Sequence, residues 1–109
     1  LIAAVDVVTN QIIAKQRVPH DITSGILATA GGLTFTTLQD GGVIALDDES
    51  LQIVWRFDTG IPIKAAPQTF AVPSGRQLVA VIAGGSASGG TFPELALMQR
   101  GAMLYFFSL

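Results

Sequence analysis

The stretch ALDDESLQIVW, Ala45–Trp55, aligns without a gap with an earlier stretch of the same chain, AVDVVTNQIIA, Ala4–Ala14. The aspartates at its third position, Asp6 and Asp47, are 41 residues apart. Each copy predicts a strand, a polar turn that begins at the aspartate, and a second strand. A repeat of about 40 residues made of short strands is typical of the four-stranded blades of a β-propeller.

Outside the repeat, apolar residues also come in short runs, rich in Val, Ile, Phe and Thr and ended by Gly, Asp, Asn, Ser or Pro. This pattern predicts strands and tight turns, and no segment predicts a helix of three or more turns. The sequence therefore predicts an all-β fold. The predicted strands are Ile2–Val7, Ile12–Val18, Leu33–Leu38, Val43–Leu46, Ile53–Phe57, Gln68–Val72, Leu78–Ala83 and Met103–Ser108.

Composition limits what the chain does alone. Half of its 109 residues are apolar and 13% are charged. A domain of this size buries about 60–70% of the surface that its unfolded chain exposes. The chain therefore has more apolar surface than it can bury by itself. We therefore expect part of the surface to face another protein segment. A net charge of −2 without a basic cluster argues against nucleic acid as a partner. No apolar run approaches the roughly 20 residues of a membrane span.

Glycines mark two further features. Asp40 and the two glycines after it predict a tight hairpin turn. The stretch Gly84–Arg100 is interrupted by glycines and a proline, and we expect a long loop there. Long loops on propellers tend to carry function.

Several motifs recur in the order and spacing of a known family. Ala45, Asp47, Ser50 and Trp55 match its Ala-x-Asp-x-x-Thr-Gly-x-x-x-Trp repeat, with Leu51 in place of the glycine. Three more specific matches are LATAGGLTF (27–35), PQTF (67–70) and GRQLVAV (75–81). On these residues the chain resembles the dehydrogenases that depend on pyrroloquinoline quinone (PQQ), which are built on an eight-bladed propeller. The order of motifs is similar to the end of alcohol and membrane-bound glucose dehydrogenases.

The resemblance implies a propeller fragment that contains the last full four-stranded blade, parts of its neighbours and the strand that closes the ring. It divides the chain into the end of the preceding blade (1–30), the blade (31–83), and the Gly-rich loop with the closing strand (84–109). The strand Leu104–Leu109 is expected to pair with the first blade, since ring closure removes exposed edges. The fragment alone is expected to be inactive.

The resemblance also implies site residues. Ala83, Gly84 and Gly85 are expected to contact the quinone, and Ser86 is expected on the substrate side, where membrane glucose dehydrogenases have a histidine. From the residues alone, a plain bend after an inner strand is the favoured alternative for this loop. A structural docking motif is expected at three further residues, with the tryptophan packing on a neighbouring blade: Ala45, Asp47 and Trp55.

The family uses PQQ with Ca²⁺ or a lanthanide, and the resemblance implies that the metal ligands and the catalytic base lie on earlier blades. It further implies oxidation of an alcohol or a sugar in the periplasm, with electrons passed to a haem protein such as cytochrome c or to ubiquinone. The remaining blades, or a companion chain, are the expected structural partners.

Other interpretations of the polar residues are mainly structural. Asp6, Asp40 and Asp47 match turn positions. His20, the only histidine, has no second imidazole for a metal site and is expected in a polar loop, where a contact with Asp21 is conceivable. Ser24 and Ser86 lack the sequence of a nucleophile elbow. A non-catalytic propeller, as a scaffold or a sensor domain, is the alternative function, and a natural subunit from a split gene is a third possibility.

Overall fold

The computed structural model describes residues 1–84, 94 and 101–109. These residues form strands and no α-helix, and none of them belongs to a helix long and apolar enough for a membrane crossing. The strands are β1 (Ile2–Val5), β2 (Ile12–Gln16), β3 (Ile26–Ala28), β4 (Leu33–Thr37), β5 (Gly42–Asp47), β6 (Ile53–Asp58), β7 (Gln68–Ala71), β8 (Gln77–Gly84) and β9 (Ala102–Ser108). The all-β prediction is confirmed.

The strands form three antiparallel sheets in chain order. β1 and β2 make a two-stranded sheet, β3 to β6 a four-stranded sheet, and β7 to β9 a three-stranded sheet. Within each sheet, every strand pairs with the next one along the chain, as in a meander. All eight predicted strands are present. The additional strand, β3, spans only three residues, which is too short for a hydrophobic pattern to reveal.

The sheets divide the chain differently from the boundaries expected from sequence. β3 lies before residue 31, yet it pairs with β4 in the four-stranded sheet, with Ile26 opposite Thr36. β7 and β8 were expected in the blade 31–83, yet they pair with each other and with β9 in a separate sheet. The four-stranded sheet therefore spans 26–58, because β3 is its first edge strand and β6 is its last.

The last strand belongs to the third sheet. β9 runs antiparallel to β8 over its whole length, from Gly84 opposite Ala102 to Leu78 opposite Ser108. It is the edge strand of that sheet. The expected pairing of its other edge with the first blade stays a prediction.

The four-stranded sheet lies between the other two, and its middle strands, β4 and β5, are buried on both faces. On one face, the buried core residues are Phe35, Val43, Ala45, Ile63, Val79, Val81 and Ala83. On the other face they are Ile2, Leu38, Ile44, Leu46 and Leu51. Successive residues of β5 alternate between the two cores. This explains why the strand VIAL is a continuous apolar run without the alternation of a half-exposed strand.

The outer face of the third sheet is apolar and exposed. Phe70, Ile82, Leu104 and Phe106 are each 41–61% exposed, and Phe70 and Phe106 meet edge to face with ring centroids 6.1 Å apart. Apolar side chains in such a group are typical of a contact surface. The sheet therefore carries the kind of surface that the composition predicts for a segment packed against another part of a protein.

Candidate functional site

β8 ends at the first two residues expected to contact the quinone. The side chain of Ala83 is fully buried in the core between the second and third sheets. Because this side chain points into the core, Ala83 can face a flat ring only through its backbone. Gly85 and Ser86, the other two residues expected at this site, lie outside the described residues.

Gly84 has a structural reason to be glycine. Its φ is 154°, and a Cβ at this position would lie 2.9 Å from the carbonyl oxygen of Gly101. Its backbone N–H donates to the carbonyl oxygen of Pro62 at 2.9 Å. The close approach of the two ends of the β8–β9 connection, with Pro62 beside them, therefore requires a residue without a side chain.

The β4–β5 turn and the segment after β6 lie at the same end of the sheets as Gly84. The hydroxyl of Thr59 donates to the carbonyl oxygen of Gly41 at 2.9 Å, and the N–H of Thr59 donates to the same oxygen at 2.9 Å. Gly41 has a φ of 93°, and a Cβ on it would meet the carbonyl oxygen of Ile61 at 2.8 Å. Ile61 and Pro62 thus connect the β4–β5 turn to the end of β8.

Arg56 ties the two ends of this turn region together. Its guanidinium donates to Asp58 at 2.8 Å and to Asp40 at 3.1 Å. The hydrogen bond with Asp58, with a further contribution from Asp40, raises the pKa of Arg56 above its ordinary value. Asp40 also accepts the N–H of Gly42 at 3.0 Å. Both acids are engaged in holding the turn and β6.

The two repeated aspartates occupy matching turns, each at the C-terminal end of its strand, β1 or β5. Asp6 accepts the N–H groups of Val8 and Thr9 at 2.8 and 2.9 Å. Asp47 accepts the N–H groups of Glu49 and Ser50 at 3.1 and 2.9 Å, and the Ser50 hydroxyl at 3.0 Å. These backbone hydrogen bonds lower the pKa of both carboxyl groups. The sequence predicts that these aspartates occupy turns and accept hydrogen bonds there.

Trp55 lies on β6 and contacts the third sheet. Its ring meets that of Phe107 edge to face at 5.2 Å and stacks with Phe57 at 6.3 Å. Phe57 in turn meets Tyr105 and Phe107 at 5.5 and 5.2 Å. Beside this aromatic group lies a mainly apolar cleft of about 240 Å³, lined by Leu33, Phe35, Ala45, Val54, Trp55, Phe107, Ser108 and Leu109. Ala45, opposite Trp55 in the register, leaves room for the ring.

His20 makes a contact that the sequence does not reveal. Its Nε2 lies 3.0 Å from Oε1 of Glu94, a residue of the β8–β9 connection that is 74 positions away. The His20 side chain is 12% exposed and that of Glu94 is 62% exposed. The pKa of Glu94 is lowered, first by its own backbone amide and then by His20. No sequence pattern links two single residues this far apart.

Comparison with known proteins shows the family to which the chain belongs. No family model matches the chain. The chain is 40% identical over 76 residues to lupanine 17-hydroxylase [cytochrome c] of a Pseudomonas species, and 35% identical over 99 residues to 1-butanol dehydrogenase (quinone) of Thauera butanivorans. These matches cover 70% and 85% of the chain, and 11% and 15% of the relatives.

A solved structure extends the match to almost every residue. The quinohemoprotein alcohol dehydrogenase ADHIIG of Pseudomonas putida superposes with a TM-score of 0.78 and 33% identity over 98% of the chain. The chain belongs to the quinoprotein alcohol dehydrogenases. It spans 16% of that quinoprotein, so the structure is a short part of the propeller, and the predicted family is confirmed.

For a quinoprotein dehydrogenase, the described residues contain little reactive chemistry. Among them, no three His, Cys, Asp or Glu side chains come close enough together to hold a metal ion. Asp40 and Asp58, near the turn region beside the end of β8, are paired with Arg56. The expectation that the metal ligands and the catalytic base lie on earlier blades stays a prediction.

Proposed function

We propose that the complete protein is a PQQ-dependent dehydrogenase that oxidises an alcohol or a sugar, and that this chain is the C-terminal portion of its propeller. The superposition on a quinohemoprotein alcohol dehydrogenase over almost the whole chain carries the proposal. The relative named for 1-butanol and quinone supports an alcohol substrate. By itself the chain is proposed to be inactive, because it spans only 16% of the quinohemoprotein alcohol dehydrogenase.

The quinone, when bound, accepts the two electrons that the substrate loses, and Ca²⁺ or a lanthanide ion polarises it. The part of this chain nearest to it is proposed to be the backbone at Ala83, Gly84 and Gly85, with Ser86 on the substrate side. Support comes from the fixed position of Gly84, which is held by Pro62 and Gly101. The metal ligands are proposed to lie outside these residues.

The docking motif has a proposed role in placing that backbone. Trp55 packs on Phe107 of β9, and β9 pairs with β8 along its whole length. The contact between Trp55 on β6 and Phe107 on β9 thereby helps to hold β8, and with it the end of β8, in place. Each sheet is proposed to be one blade or part of one blade, with 26–58 as the complete four-stranded blade, in place of 31–83.

For the electron acceptor we propose a cytochrome c, with ubiquinone as the alternative acceptor. The relative lupanine 17-hydroxylase carries cytochrome c in its name. The proposed compartment is the periplasm. The remaining blades, or a companion chain, are the proposed neighbours of the exposed apolar face on the third sheet.

An assay of the complete protein tests the function. It is treated with a chelator, supplied with PQQ and Ca²⁺ or a lanthanide, and offered primary alcohols, secondary alcohols and sugars with an artificial electron acceptor. We expect alcohol or sugar oxidation that requires both the quinone and the metal ion. Quinone bound without any oxidation of these substrates would contradict the proposed substrate class, and no quinone binding would favour a non-catalytic scaffold.

A further inference from the structure

The segment 18–25, between β2 and β3, is fixed to the end of the four-stranded sheet by side chains. The buried Gln39 donates from Nε2 to the carbonyl oxygen of Asp21 at 2.8 Å. The Ser24 hydroxyl donates to the carbonyl oxygen of Thr37 at 2.9 Å, and Thr36 donates to Gly25 at 3.0 Å. The backbone that carries His20 is therefore held by three hydrogen bonds to the end of β4.

His20 extends from this fixed backbone to Glu94. The imidazole is mostly buried, and Nε2 meets the Glu94 carboxylate at 3.0 Å. Glu94 belongs to the connection that begins after Gly84, whose N–H donates to Pro62, and ends at Gly101, which lies beside Ile61. The contact with His20 is thus a third attachment of this connection, and it is made to a different part of the same sheet.

We propose that His20 is a positioning residue that ties the β8–β9 connection to the end of the four-stranded sheet through Glu94. A long connection held only at its ends has many conformations, and one side-chain attachment between them removes part of that freedom. The imidazole does not touch the quinone or the substrate in this scheme. Its effect on Gly85 and Ser86 rests on the proposed function, whereas the attachment itself does not.

A double-mutant cycle with hydrogen exchange tests the attachment in the complete holoenzyme. The variants are His20→Phe, Glu94→Ala and the double variant, and amide exchange is followed in peptides from the β8–β9 connection. Each single variant is expected to raise exchange by roughly fivefold, since each removes one side-chain attachment of modest strength. The double variant is expected to exchange no faster than His20→Phe alone, because that substitution already removes the contact with Glu94.

Two controls separate attachment from general damage. Glu49→Ala removes another exposed glutamate, in the turn at the far end of β5, and is expected to leave this exchange unchanged. Glu94→Gln keeps an acceptor oxygen for His20 and is expected to restore most of the protection. If the single variants exchange like the native protein, or if their effects add in the double variant, the proposal is wrong.

A kinetic measurement tests the consequence for the site. If the proposed function holds, His20→Phe is expected to raise KM for the substrate by about threefold to fivefold at nearly constant kcat, the pattern for a loss of binding that is equal in the ground state and the transition state. Coupled exchange without any change in KM would show the attachment but contradict its role at the site. A protein that binds no quinone would refute the proposed function and leave the exchange result standing.

Discussion

The two aspartate hairpins share a backbone and differ in what they pack. In each, the aspartate carbonyl accepts the N–H of the residue four positions later at 2.8 Å, and that residue has a φ of 57°. In the first hairpin this residue is Asn10, which is exposed; in the second it is Leu51, which is 4% exposed. The turn geometry is therefore set by the aspartate, whereas the packing is set by its neighbours.

The family places glycine at the position of Asn10 and Leu51, and the positive φ explains why. Asparagine tolerates the left-handed region better than other residues with a side chain, so the first hairpin loses little. Leucine is strained there, and burial beside Ile44 and Leu46 offsets that strain. One backbone requirement is thus met in two ways, by a tolerant side chain and by a buried one.

The largest expected effect within this comparison is at Leu51. Leu51→Gly relieves the strain but removes a buried side chain from the core, and we expect a loss of about 3 kcal/mol in the free energy of unfolding. Leu51→Met keeps the volume and the strain, and its loss is expected to stay below about 1.5 kcal/mol. Urea unfolding of the complete protein measures both. A Leu51→Gly protein as stable as the native one would mean that strain dominates.

The next largest effect is expected at Trp55, whose counterpart in the first hairpin is Ala14. Trp55 is 39% exposed, so Trp55→Ala is expected to cost about 2 kcal/mol, less than for a fully buried ring. Trp55→Phe keeps an aromatic contact with Phe107 and is expected to cost less than 1 kcal/mol. Thermal unfolding of the complete protein compares the two. Equal losses would show that the indole itself matters more than the ring contact.

A smaller effect is expected in how the free energy of unfolding changes with pH in the acid range. The pKa of Asp47 is lowered from 3.8 by its hydrogen bonds. Its contribution is therefore present above the unfolded pKa and disappears as the pH falls through the folded one. Asp47→Asn is expected to flatten stability against pH below about 4. Asp6→Asn is expected to do so less, since the Thr9 hydroxyl is the smallest cause of the lowered pKa of Asp6, whereas the Ser50 hydroxyl is the second largest cause for Asp47. If the free energy of unfolding of both variants depends on acid pH as it does in the native protein, this contribution of the two aspartates is ruled out.

The smallest effect is expected for Asn10→Gly. The substitution removes a mild strain but gives the unfolded chain more freedom, and the two terms nearly cancel. We expect the free energy of unfolding to change by less than about 0.5 kcal/mol, as measured by the same urea titration. A large loss would show that the Asn10 side chain has a contact in the complete protein that its exposure here does not suggest.

Much of this fold is predictable because its determinants are local. The alignment of Asp6 with Asp47 predicts both turns, and short apolar runs predict eight of the nine strands. The three residues of β3 carry no usable pattern, so the sequence does not reveal that the four-stranded sheet begins at Ile26. Sheet membership of β7 and β8 is decided by β9, which lies far along the chain, and local sequence does not contain that information.

The candidate site is less predictable for the same reason. Gly84 fits the expected quinone contact by its place in a motif, but its lack of a side chain is also required by Gly101, a contact visible only after folding. The pairing of His20 with Glu94 depends on how two connections meet at one end of the sheets. Sequence distance hides both contacts, whereas motifs found in order are sufficient to indicate the family.

The most direct measurement is the quinone content of the complete protein as isolated, by absorbance and by mass spectrometry of the small molecules released on denaturation. The account predicts PQQ, one molecule for each propeller, together with calcium or a lanthanide. A correctly folded protein that contains no quinone, and binds none when PQQ and the metal ion are added, would contradict it.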